Sequence, residues 1–122
     1  MVILSMLIGV IFGGIVGSAT PIIPYTFSKY LAISIIAALD SVFGGINSNL
    51  NGKFDLKIFV SGFFMNAIIS ILLTYLGERL NVDIYLAAIF VFVGRIFNNL
   101  GFIRRYYIEK WLLKSKKIET EK

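Results

Sequence analysis

The sequence predicts an all-α membrane protein, a small polytopic bundle of four transmembrane helices. Three observations carry that prediction. Hydrophobic residues fill 57% of the 122 positions and charged residues only 16%, too little polar surface to cover a soluble domain of this size. Four apolar runs, 2–19, 30–50, 56–77 and 84–103, each approach the roughly 20 residues that cross a bilayer as a helix. The connections between them are short and carry the chain breakers, Pro21, Pro24 and Asn51-Gly52.

In the first run, Ser5, Gly9, Gly13 and Gly17 recur at every fourth position. They form one stripe of small residues against which another backbone can approach closely. No basic residue precedes the run, and Gly17-Ser18-Ala19 only faintly resembles a cleavage site, so a retained helix is expected over a removed signal peptide. Residues 20–29 form the connection, where Tyr25 and Tyr30 suit the membrane interface.

The second run holds a carboxylate in its middle. Counted from residue 30, Asp40 lies roughly 15 Å along the helix, near the centre of a hydrocarbon layer about 30 Å thick. An unpaired charge there costs at least ~3 kcal/mol, so a partner is expected. The last part of this run, 44–52, turns polar. The alternative to four crossings is therefore three, with the second segment re-entrant.

The third run opens after an Asn51-Gly52 turn. Gly62, Asn66, Ser70, Thr74 and Glu78 share one face of it, small or polar, opposite a face of Phe, Ile and Leu. Residues 78–83 form the next polar connection. In the fourth run, Ala88, Val91, Arg95 and Asn99 share a face. Arg95 is the other charge at comparable depth, roughly 18 Å from residue 83 along a helix parallel to the second. Its long side chain leans toward the N-terminus and so toward the depth of Asp40. An intramembrane ion pair, Asp40 with Arg95, is expected to draw these two helices together and turn the glycine and asparagine faces inward.

Alternating crossings put Lys29 and Arg79 on one side and Lys53, Lys57, Arg104, Arg105, Lys110, Lys114, Lys116, Lys117 and Lys122 on the other. Nine against two predicts both termini in the cytoplasm. Residues 1–103 are then the bundle and 104–122 a basic juxtamembrane tail, with seven basic and three acidic residues. Arg104, Arg105, Lys110, Trp111 and Lys114 suit anionic lipid headgroups or a docking partner. The net charge of +5 is accounted for by these flanks and does not call for nucleic acid.

Between 36–50 and 86–100, a shift of 50 residues aligns six identities in fifteen positions, among them Gly44 with Gly94 and Asn49 with Asn99. This raises a parallel repeat of two helices each. Arg95 falls opposite Gly45 and Asp40 opposite Phe90, so the two charges are where the halves differ.

The chain has no cysteine and no histidine, which removes the usual zinc, haem, iron–sulfur and thiol chemistries. No phosphate-binding loop and no nucleophile–base pair occurs, so neither an enzyme nor a cofactor is expected. Two functional readings remain. In one, the pair pins a scaffold or assembly subunit that meets itself or a membrane partner through Gly9, Gly13 and Gly17. In the other, Asp40 and Arg95 with Asn66, Ser70, Asn98 and Asn99 line an ion or transport path. The pin leads for so small a bundle. Small multidrug exporters, similar in size, look to an acidic residue in their first helix, and this first helix has none.

An ordered set of residues resembles the bacterial small basic protein family, short membrane proteins of unknown function. It runs through Ala37-Ala38-Leu39-Asp40 and Gly44-Gly45-Ile46, then residues 60–64 with Asn66. It continues through residues 82–87 with Ile89-Phe90, Arg95-Ile96-Phe97 with Asn98, and Ile103-Arg104-Arg105. The resemblance covers residues 30–111. It implies a plasma-membrane protein, chiefly of Gram-positive bacteria and often encoded beside cell-division and envelope genes. It supplies no catalytic residues.

Overall fold

A computed structural model describes residues 2–22 and 24–122, with the backbone alone at residues 25 and 26; the expected interfacial side chain of Tyr25 thus falls outside it. The described chain is all helical. In order the elements are α1 (Val2–Ala19), α2 (Tyr25–Leu50), α3 (Leu56–Leu80) and α4 (Ile84–Glu121). Each is long and apolar enough to span a membrane.

α2 is the central element. It packs along both α3 and α4, while α3 and α4 touch each other less, and α1 packs mainly on α2. The α2 face that makes this possible buries Ile33, Ala37, Gly45 and Ile46. α3 answers with Ser70, Thr74 and Gly77. Small residues let helices approach in lipid, where hydrophobic burial gives no drive and close packing must supply it.

The polar end of the second segment does not re-enter. α2 continues as helix to Leu50, and its start lies at Tyr25, directly after Pro24, five residues earlier than the apolar run alone suggested. Proline at the entry costs nothing, because the first backbone N–H groups of a helix have no partner inside it.

Both inner turns are built by glycine or asparagine in left-handed conformation. At the end of α2, Gly52 has φ +71°; its N–H donates to Asn49 O and that of Lys53 to Ser48 O. Two residues on, Asp55 caps α3, its carboxylate accepting from the N–H groups of Lys57 and Ile58. At the end of α3, Asn81 takes φ 56° and Val82 N–H donates to Gly77 O at 2.9 Å. Both are six-to-one C-terminal closures. The second needs Gly77, since a Cβ there would lie 2.6 Å from Val82 O.

α4 runs for 38 residues without interruption, about 57 Å, nearly twice the hydrocarbon thickness. The expected boundary between residues 103 and 104 is thus not a change of secondary structure. No break near Arg104 allows the basic end to fold back along a membrane surface.

Candidate functional site

The site lies where α2, α3 and α4 meet at mid-length. Asp40 is completely buried. One guanidinium nitrogen of Arg95 (Nη2) lies 3.4 Å from its Oδ2. That distance is an ionic contact rather than a well-formed hydrogen bond. Among the described residues neither Asp40 oxygen accepts a hydrogen bond. The two partners differ in burial: 56% of the Arg95 side chain is exposed, so only one member of the expected buried pair is buried. A guanidinium on a long apolar stem can keep its head at the edge of the bundle; an aspartate cannot.

A second rung follows one helical repeat along. Asn47, seven residues after Asp40 on the same face of α2, donates its Nδ2 to Asn99 Oδ1 at 3.1 Å, and Asn99 lies four after Arg95. Asn51 in turn donates to Asn47 Oδ1 at 3.0 Å. Asn99 is half-buried here, whereas Asn98 is exposed and does not join the interior polar set. One residue is a rotation of about 100° on a helix, which carries Asn98 off the shared face. The same rotation separates Val91, exposed, from Phe92, buried. The face of α4 toward α2 therefore follows Ala88, Phe92, Arg95 and Asn99.

Opposite, Asn66 donates weakly to Ser41 Oγ at 3.4 Å. The Ser70 and Thr74 hydroxyls turn back onto their own helix, to Asn66 O at 2.6 Å and Ser70 O at 2.8 Å. At the far end of this seam Glu78 accepts from Tyr30 at 2.5 Å and pairs with Lys29 at 3.5 Å, while Lys29 also lies over the Tyr85 ring. Sequence reasoning passed over Asn47, Ser41 and this Glu78 cluster. For Asn47 the signal was present, since Asp40, Gly44, Asn47 and Asn51 follow helical spacing.

Beside the pair is a cleft of about 230 Å³. Ser41 and Ser48 of α2, Asn66 of α3 and Arg95 of α4 contribute its polar wall, and Lys53 stands in the turn at one end. Phe54, Ile58, Phe59 and Phe63 line the rest, so the cleft is mixed in character, and Asp40, fully buried, lies just behind its wall; no nucleophile and base are in contact there among the described residues.

The glycine stripe of α1 is not turned inward within the chain. No residue of α1 is buried, and a Cβ on Gly9, Gly13 or Gly17 would meet nothing within 4 Å. α1 instead touches the bundle near its start, where Met6 and Phe59 close over Gly45; a Cβ there would lie 2.9 Å from both. On α4, Arg104, Arg105, Lys110, Trp111 and Lys114 are all exposed, Lys110 resting 6.0 Å from the Tyr106 ring centre.

Comparison with known proteins gives a consistent result. A "Small basic protein" of Bacillus subtilis (strain 168) is 46% identical over 110 residues, covering 89% of this chain and 91% of its own. An uncharacterised protein of Mycobacterium tuberculosis (strain CDC 1551 / Oshkosh) is 38% identical over 105 residues, 84% of each chain. One of Mycobacterium bovis (strain ATCC BAA-935 / AF2122/97) matches to the same extent. No solved structure matches. The family model described as "Protein of unknown function (DUF1290)" matches residues 23–108, the stretch from the start of α2 through the Asp40–Arg95 site to the basic part of α4, and the chain belongs to that family.

Proposed function

We propose that this chain is a non-enzymatic, multi-pass plasma-membrane protein that acts as an assembly subunit, joining copies of itself or a membrane partner through α1. One observation carries this. α1 has every residue from Leu7 to Ala19 exposed, with its small-residue stripe open. An open stripe of small residues on a helix that packs so little within its own chain lets the backbone of another helix approach closely. The Asp40–Arg95 contact then fixes the α2–α4 platform from which α1 is presented. The nine-to-two asymmetry of basic residues supports a cytoplasmic C-terminus. Arg104 and Arg105 stand at headgroup depth, and Lys110, Trp111 and Lys114 project beyond it toward a soluble or peripheral partner. The family resemblance supports a role near envelope assembly or division, which depletion in a Gram-positive host, scored by septum placement, tests.

For assembly itself, Gly13→Leu should convert an oligomer in mild detergent to monomer by light scattering. A mass that is the same in both proteins, and monomeric, sinks it.

The cleft at Asp40 favours a second reading, a small channel or transporter subunit using Asp40, Asn66 and Arg95. Ion or proton flux into liposomes, abolished by Asp40→Asn with folding retained, is its signature.

A further inference from the structure

A carboxylate offers about four acceptor positions, and none of those of Asp40 is filled by a hydrogen bond among the described residues. Arg95 touches one oxygen from one side. A buried polar group left so in a bilayer interior is costly, and nearly all such groups in proteins find donors in protein or ordered water. The cleft beside Asp40 is large enough to supply water. Its roughly 230 Å³ leaves room for several waters. Ser41, Ser48 and Asn66 on its walls give such waters the several polar contacts they require.

We propose that this cleft is a one-ended aqueous vestibule, in which water and small hydrophilic solutes enter beside Lys53 in the α2–α3 turn, advance to the wall in front of Asp40, where small local motions bring water to its carboxylate, and go no further. The entrance is marked by exposed Lys53. The stop lies on the other side of Asp40. There Ile33 and Ala37 are fully buried, and the Ser70 and Thr74 hydroxyls are engaged by their own helix. These buried residues close the seam toward Glu78. The vestibule is independent of assembly through α1. For a channel or transporter it sets a condition: the seal at Ile33 and Ala37 must open before anything crosses.

The absence of cysteine makes the test direct. Single variants Ser41→Cys, Ser48→Cys and Gly62→Cys place a thiol on the vestibule wall; Gly62 has open space where its Cβ would go. Phe90→Cys, at a position 79% exposed, serves as the lipid-facing control. Ser70→Cys lies behind the seal, and Lys53→Cys and Leu80→Cys mark the two membrane faces. Sealed vesicles of either orientation are treated with a membrane-impermeant cationic methanethiosulfonate. Thiolate formation needs water, so the wall thiols should react roughly tenfold faster than Phe90→Cys or more, and only from the Lys53 face. Ser70→Cys should stay protected from both faces. Ser41→Cys reacting no faster than Phe90→Cys overturns the water path, and reaction of Ser41→Cys or Ser70→Cys from the Leu80 face overturns the seal. If Ser41→Cys loses its native elution profile, Gly62→Cys and Asn66→Cys decide the same question.

Discussion

Arg95 approaches Asp40 from one side only, 3.4 Å from Oδ2, with more than half of its own side chain exposed while Asp40 has none. The two residues therefore stand to lose unequally. Arg95→Gln leaves a buried carboxylate without its counter-charge and should cost about 3 kcal/mol of bundle stability. Asp40→Asn leaves a guanidinium unpaired in the membrane interior, a cost its long stem relieves only in part, and should cost about 2 kcal/mol. The double variant should recover part of the sum, as coupled neighbours do. Denaturation in mixed micelles checks the order; equal losses that simply add would contradict the pairing.

Gly45 is the position where α1 is held to the rest. Gly45→Ala puts a methyl 2.9 Å from Met6 and Phe59 and should cost about 1–3 kcal/mol. Combining it with Met6→Ala should return part of this, because the Met6 end is the more yielding neighbour. Thermal unfolding in detergent measures both, and proteolysis between α1 and α2 should quicken in the single variant.

The closure of α3 gives opposite outcomes at two residues four positions apart. Gly77→Ala drives a Cβ against Val82 O and should destabilise by about 1–3 kcal/mol. Asn81→Gly, at φ 56°, should be neutral or slightly stabilising, since glycine takes that conformation without cost. Unfolding midpoints separate the two.

Asp55 accepts from two free N–H groups at the start of α3. Asp55→Ala should cost about 1 kcal/mol and Asp55→Asn a few tenths. A large loss in both would mean that the carboxylate charge, rather than the cap, is what matters at the mouth of the cleft.

The four helices were legible because lipid imposes a length, and four runs of that length stand between turn residues. The helix ends were less so. Hydropathy marks where apolar side chains stop, whereas α2 begins at Pro24 and α3 ends at Asn81 for backbone reasons. Asp40 and Arg95 could be matched by depth alone, there being no other charges so deep within an apolar run. Their unequal burial could not, because exposure depends on which side of α2 its neighbour passes. Val91 is misplaced by one residue for the same cause, a face drawn from spacing without knowing the crossing, and Asn98, grouped with the interior polar residues, lies off that face. The α1 stripe shows the remaining gap. A row of glycines says that something can come close and leaves open whether it belongs to the same chain.

α4 contains no joint between the level of Arg95 and its far end, about 39 Å away. It is a lever. Any reorientation at its intramembrane fulcrum, even a tilt of about 5°, displaces the basic tip by roughly 3 Å at 1.5 Å per residue over that span. A shift at the level of Arg95 is thus carried to the basic tip by the helix itself.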